Sequence, residues 1–296
     1  MHTTPVLLCL LLLATFSTRS TFAAGPKPGP EAYVTVETQD MKVEFACDRA
    51  WTISTIVYRG KVITGRPGFY GTVAALEGAR WIGTGHNEGG VEKVESAVLT
   101  VDGKPCELTD KAAYQGRRAV LKKHSMIGSI RLVATYIVTE NSVLEEHQYE
   151  MTQEIKVGRM YAFMHPFMPA TTEWMAETIK GEIIEGRFDS KGGHQLDQDV
   201  RWTAIYDPTA GHVTLAWLPQ PLPGPSPKTF YWDKTVYHKL YNQVWSGATV
   251  PAGTKAQARI IIRPAETDET SWKQRAKELV QEVQAYSEKG DSQWSE

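Results

Sequence analysis

Two short stretches of this chain hold residue types that do proton chemistry, at spacings that would aim them together. Residues 83–90 read Gly-Thr-Gly-His-Asn-Glu-Gly-Gly. Four glycines leave this backbone free to take positive φ and to approach a ligand closely. His86 and Glu88 stand two apart, so an extended backbone points both the same way. An imidazole and a carboxylate in one place can run acid/base chemistry or hold a divalent cation. The stretch is no phosphate loop, because it lacks the Gly-Lys-Ser/Thr ending and no helical pattern follows. A plain polar hairpin with an exposed His and Glu remains the alternative. The second stretch is Tyr237-His238-Lys239-Leu240-Tyr241. Read as a strand, it puts Tyr237, Lys239 and Tyr241 on one face and His238 on the other. A lysine beside a tyrosine favours the phenolate and lowers the phenol pKa, which makes the pair a general base. Such a pair suits removal of the proton α to a uronate carboxylate. The alternative is a strand whose rings pack and whose lysine reaches solvent.

A third group is Tyr161, His165, Trp174 and Glu177. Met160, Phe163 and Met164 beside it read as packing, since methionines among alternating rings fill cores. His165 precedes Pro166 and is expected at a strand end, within reach of a cleft. His194, after two glycines, and the pair Arg201-Trp202 complete the candidates. His124, His147 and His212 read as ordinary strand or turn residues. The expected catalytic set is therefore His86, Glu88, His165, Tyr237 and Lys239. The expected substrate contacts are Trp174, His194, Arg201, Trp202, Trp232, His238 and Tyr241. No cluster has metal-ligand spacing, no cofactor is expected, and there is no Gly-x-Ser-x-Gly elbow for a serine hydrolase.

Ring distribution names the ligand class. Residues 161–245 carry 14 of the 27 aromatic side chains outside the first 23 residues, and four of the histidines. A β-rich core needs rings, but it does not need imidazoles and cations threaded between them. Rings beside hydrogen-bonding groups suit a ligand with flat apolar faces and many hydroxyls, which describes a sugar.

Charge agrees with this. Setting residues 1–23 aside leaves 31 basic against 34 acidic side chains, so nothing draws the chain to nucleic acid. Residues 6–16 form an apolar run too short to span a bilayer, and Thr21-Phe22-Ala23 offers a small-residue cleavage site. The N-terminus is expected to be a signal peptide (1–23) that exports the protein to a secreted or periplasmic location, with no membrane span. Cys47 and Cys106 would then either pair or remain two separate thiols.

These groups need elements to position them. A Pro/Gly linker is expected at 24–30. Period-two alternation then marks strands at 33–38, 42–46, 53–58, 94–101, 119–123, 129–138, 143–151, 157–163, 200–206, 212–218, 236–244 and 256–263. A dozen or more strands without helical periods between them predict an all-β domain over 31–266, a large antiparallel β-sandwich. Five alternate prolines between Pro219 and Pro227 predict a stiff loop from Trp217 to Trp232, lying over the cleft and offering it Tyr231 or Trp232. Trp272, Ala276, Leu279, Val280, Val283 and Tyr286 share one helical face, so a single α-helix over 267–290 should pack on the domain.

Residues 45–65, with the turn Tyr58-Arg59-Gly60-Lys61 and then Val62-Ile63, resemble the entry of the galactose mutarotase-like super-sandwich proteins. Val250-Pro251-Ala252-Gly253-Thr254 leading into 256–263 resembles the strand that closes that fold. The resemblance implies a super-sandwich, and it implies company with sugar epimerases, polysaccharide lyase domains and members without known activity. Mutarotases pair a His acid with a Glu base. His165 would match the His, and Glu88 does not stand at the late position of the Glu. More narrowly, Lys239-Leu240-Tyr241-Asn242-Gln243 resembles a jelly-roll alginate lyase signature whose companion motifs are missing here. The sequence thus predicts a secreted carbohydrate-active protein with lyase- or epimerase-like acid/base chemistry. A non-catalytic carbohydrate-binding module and a structural envelope protein are the alternatives, and oligomeric state is open.

Overall fold

The computed structural model describes residues 33–84 and 88–288. The signal peptide and linker expected at the N-terminus, the residue His86 and the end of the helix at Lys289-Gly290 lie outside the described residues. Among the described residues the chain is all-β with one α-helix, Trp272–Glu288. Its strands form an 11-stranded and a 10-stranded sheet. Pairing is antiparallel except where Tyr33–Glu37 meets Ala113–Gln115.

The larger sheet runs His194–Gln198, Lys228–Lys234, Tyr237–Val250, Ile155–Phe167, Lys61–Thr64, Thr52–Tyr58, Met41–Ala46, Tyr33–Glu37, Ala113–Gln115, with Val73–Leu76 also paired to Ile155–Phe167 and Trp81–Gly83 paired to Val73–Leu76. Alternation decides which face each residue joins. In Met41–Ala46, Met41, Val43 and Phe45 are buried while Lys42 and Glu44 lie between them. The inward residues of both sheets make one core, in which Phe45, Ile56, Phe163 and Leu240 meet Leu121, Leu132, Tyr136 and Ile260. The turn at Asp102-Gly103 has positive φ at both residues, 48° and 74°, as a tight hairpin between Lys93–Val101 and Lys104–Cys106 requires.

The helix covers part of the outer face of the smaller sheet. The Asp268 carboxylate accepts from the backbone N–H of Thr270 and Ser271, both at 2.9 Å, and so caps the helix start. Trp272 then stacks on Tyr206 at 5.5 Å, with Trp202, Trp217 and Leu215 beneath the same helix face.

Several strands escaped the alternation. Glu173–Thr178 (Glu-Trp-Met-Ala-Glu-Thr) is buried on consecutive residues, so period two is lost. Lys228–Lys234 follows the prolines directly, which hid it. The proline loop therefore ends at residue 227. Leu222 is in the core, and the Ser226 carbonyl accepts from Gln243 Nε2 at 2.9 Å. Of the two rings expected from this segment at a cleft, Tyr231 is fully buried in the core with its hydroxyl 3.0 Å from Thr203 Oγ1, while Trp232 faces the other way. Cys47 and Cys106 are both free thiols, half-buried against the core, and burial pushes Cys47 up to about 11.

Candidate functional site

The outward face of the larger sheet carries a cluster of rings separate from the core: Tyr161, Met164, Phe230 and Tyr241 with Val73, flanked by half-buried Tyr70, Trp81 and Trp232. Trp81 stacks on Tyr161 at 5.6 Å and Phe230 stacks on Tyr241 at 4.9 Å. Tyr161 meets Tyr241 edge-on at 4.9 Å, which joins the two stacks. Trp232 lies 6.0 Å from Tyr241, and the exposed His194 ring lies 4.5 Å from Phe230 and 6.0 Å from Trp232.

Lys239 sits at the base of this cluster. Its ammonium is 1% exposed and donates to the Gly68 carbonyl at 2.8 Å. Tyrosine rings surround it, with Nζ 4.1 Å from the Tyr70 centroid, 4.9 Å from Tyr241 and 5.1 Å from Tyr237. No carboxylate pairs with it among the described residues. Burial alone drives its pKa down to about 7, so a large fraction is neutral amine near neutral pH. The tyrosines move the opposite way. Tyr237 is raised by burial and then by Tyr70, and Tyr241 is raised by burial. The lysine therefore does not activate Tyr237, as the sequence led one to expect. An amine that is largely uncharged exerts little pull on a neighbouring phenol.

Gly68 belongs to the crossing segment that brings Tyr70 onto Lys239. Its φ is +79°, and a Cβ there would lie 2.6 Å from the Tyr237 ring, so only glycine fits. Tyr70 also links this site to the glycine-rich stretch. After burial, and against the opposing Arg49, the charge of exposed Glu88 helps raise the Tyr70 phenol. Beyond Tyr237, on the same sheet face, a cleft of about 670 Å³ is lined by Glu44, Thr55, Val57, Arg66, Pro166 and Tyr237 among others. Arg66 is paired there with Glu44 at 3.1 Å.

His194, Trp232, Tyr237, Lys239 and Tyr241 thus share one face. Others among the expected site residues lie elsewhere. His165 lies two residues before the end of its strand, but it points into the sandwich and not to a cleft. Its Nε2 is 3.3 Å from Glu145. Burial lowers His165 to about 4 and raises Glu145 to about 8, so at neutral pH an uncharged acid faces an uncharged imidazole. His147, lowered by burial to about 3, lies 3.9 Å from the same carboxyl.

His238 also points inward. It stacks on Phe188 at 3.9 Å, with Nδ1 2.7 Å from Thr171 Oγ1 and Nε2 3.1 Å from Asp233. The buried Asp233 carboxylate in turn accepts from the backbone N–H of Asp189 (2.9 Å) and Ser190 (3.1 Å), and its own N–H donates to the Gly193 carbonyl. Trp174 is core. Trp202 is buried under the helix on the other sheet, with its Nε1 donating to Glu177 at 2.8 Å. The exposed Arg201 stands on that other sheet, 4.0 Å from Glu177. None of these three can line a cleft with Trp232.

Sequence reasoning missed Tyr70 and Trp81. The glycines on either side of Tyr70, and Gly83 just after Trp81, were the available signal, since rings flanked by glycine sit where backbone must pass closely.

No family model and no curated protein matches the sequence. Solved structures do. The Slr1438 protein of Synechocystis sp. PCC 6803 aligns over 81% of this chain and 97% of its own, with 12% identity and a TM-score of 0.51. The galactosidase domain of the alpha-galactosidase-sucrose kinase AgaSK aligns over 79% of this chain at 10% identity and TM-score 0.52, and this chain spans only 40% of that one. A galactose mutarotase-like protein from Lactobacillus casei ATCC 334 aligns over 79% of this chain and 100% of its own at 10% identity and TM-score 0.45. Likeness at such identities shows the fold alone, a large β-sandwich shared with the Slr1438 protein and the AgaSK galactosidase domain.

Proposed function

We propose that this galactose mutarotase-like sandwich is an exported carbohydrate-facing protein that takes a saccharide chain along the outward face of its larger sheet. One observation carries this reading. On the side of the larger sheet away from the main core, Tyr161, Phe230 and Tyr241 pack into a buried cluster, and half-buried Trp81 and Trp232 rim it. The packed rings hold this second cluster together, while the half-buried indoles at its rim keep surface open that matches the apolar faces of pyranose rings. The cleft beyond Tyr237 lengthens the same face, which favours an oligosaccharide or polysaccharide over a single sugar. The AgaSK domain of the same fold is named as a galactosidase, which supports a sugar ligand. The signal-like N-terminus supports export.

Turnover is a second reading, favoured by Lys239. An amine poised near neutral pH at the base of the rings could accept the proton removed in β-elimination or epimerisation. Tyr70 would have to swing aside to admit a substrate, because its ring caps the amine. Binding without turnover needs no such motion.

The test is a glycan panel followed in two ways: tryptophan fluorescence for binding, and ultraviolet absorbance of an unsaturated uronate plus reducing-end release for turnover. Binding that Trp232→Ala weakens supports the sugar face. Turnover abolished by Lys239→Met establishes the enzyme. A panel with neither signal refutes both.

A further inference from the structure

Charge around the rings is uneven. Arg159 is exposed, and its guanidinium donates to the Tyr161 hydroxyl at 3.3 Å. Lys234 Nζ lies 5.0 Å over the Trp232 ring. Lys228, on the same strand as Phe230 and Trp232, pairs with Asp197 at 2.8 Å. Among the described residues, neither Arg159 nor Lys234 pairs with a carboxylate. All three cations bear on His194: after burial, and against Asp197, they hold its imidazole low. Three cations and one carboxylate therefore ring the Phe230–Trp232–His194 patch, in a chain that is acidic overall.

We propose that the saccharide held on this face is anionic, with Arg159 and Lys234 receiving its carboxylate or sulfate groups while the half-buried Trp232 takes a ring face. The inference deepens the proposed carbohydrate function and rests on it. A neutral glycan gives these cations no partner. An anionic one supplies the missing charge and can form charge-assisted hydrogen bonds with the Arg159 guanidinium. Arg201, expected from the sequence to play this part, stands on the other sheet.

The experiment titrates the full chain with a neutral glucan, a polyuronate, a sulfated glucan and a single-stranded oligonucleotide, by calorimetry at low and moderate salt. The charged glycans should bind at least about tenfold more tightly than the neutral one at low salt, with the gap closing as salt rises. Arg159→Ala and Lys234→Ala should each weaken the charged glycans about threefold to tenfold without changing the neutral one. Arg201→Ala should change nothing. The polyuronate and sulfated arms identify the anion. Equal affinity for neutral and charged glycans would overturn this inference and leave the sugar face standing. Silence with every glycan would overturn both. Tighter binding of the oligonucleotide would reassign the rings and cations to nucleic acid, which combines the same two features.

Discussion

Lys239→Met tests the physical account of the site most directly. A pKa held down from 10.5 to about 7 means the fold disfavours the ammonium by about 5 kcal/mol, at roughly 1.4 kcal/mol per pH unit. Three ring faces at 4.1 to 5.1 Å return about 0.5–1 kcal/mol each. The Gly68 carbonyl, which methionine leaves without its donor, costs about another 1 kcal/mol. At pH 7 methionine should therefore stabilise the protein by roughly 1–2 kcal/mol. The sign with pH follows from linkage. The folded pKa is depressed, so the wild type has its full stability above about 10.5 and loses it as pH falls through about 7. Between those values the wild type should gain on the variant by up to about 1.4 kcal/mol per pH unit. Urea unfolding at half-unit steps from pH 6.5 to 10, on both proteins, measures this. Parallel stability curves would mean that Lys239 titrates normally, and the idea of a neutral amine under Tyr70 would fail.

Other outcomes follow from the same structure. Trp232→Ala should lower saccharide affinity about tenfold, as losing a ring contact does, with an unchanged circular dichroism spectrum because the indole is only half-buried. Asp268→Ala removes both cap hydrogen bonds and should cost about 1 kcal/mol, read as a lower Tm in calorimetry. Glu145 is raised to about 8 by burial, partly opposed by Lys123. The wild type should therefore lose stability relative to Glu145→Gln as pH rises from about 4.5 through about 8, at up to roughly 1.4 kcal/mol per pH unit. A flat difference in denaturant unfolding over that range would show the carboxyl to be solvated.

Local pattern reached some of this and not the rest. Period two put Tyr237, Lys239 and Tyr241 on one face and His238 on the other, and all three outward side chains do meet at one ammonium. What Lys239 does there was not legible, because its pKa depends on Tyr70 and Gly68, delivered by a distant segment. Trp174, Trp202 and Trp232 are near one another in the chain, yet the fold sends one to the core, one beneath the helix and one to the open face. Crowding along a sequence does not say which side of which sheet a ring joins. His165 misled for a related reason. Pro166 was read as the end of a strand, but the strand runs on to Phe167, and the imidazole takes the inward phase. The helix was legible because its apolar spacing is local, and Trp272, Ala276, Leu279, Val280 and Val283 do pack as one face.

The Asp233 carboxylate has a consequence for how the site can change. His194 follows Gly193, whose carbonyl accepts from the Asp233 backbone N–H; Trp232 precedes Asp233 itself; and Lys239 follows His238, which the Asp233 carboxylate faces. A single buried residue, through its backbone N–H and its carboxylate together, thus acts as a common pin for the positions of an imidazole, an indole and an amine. Loosening it would shift all three at once instead of spoiling one contact. The site should then vary among descendants of this chain through its rim, at Arg159 and Lys234, while the pinned trio is kept or lost as a block.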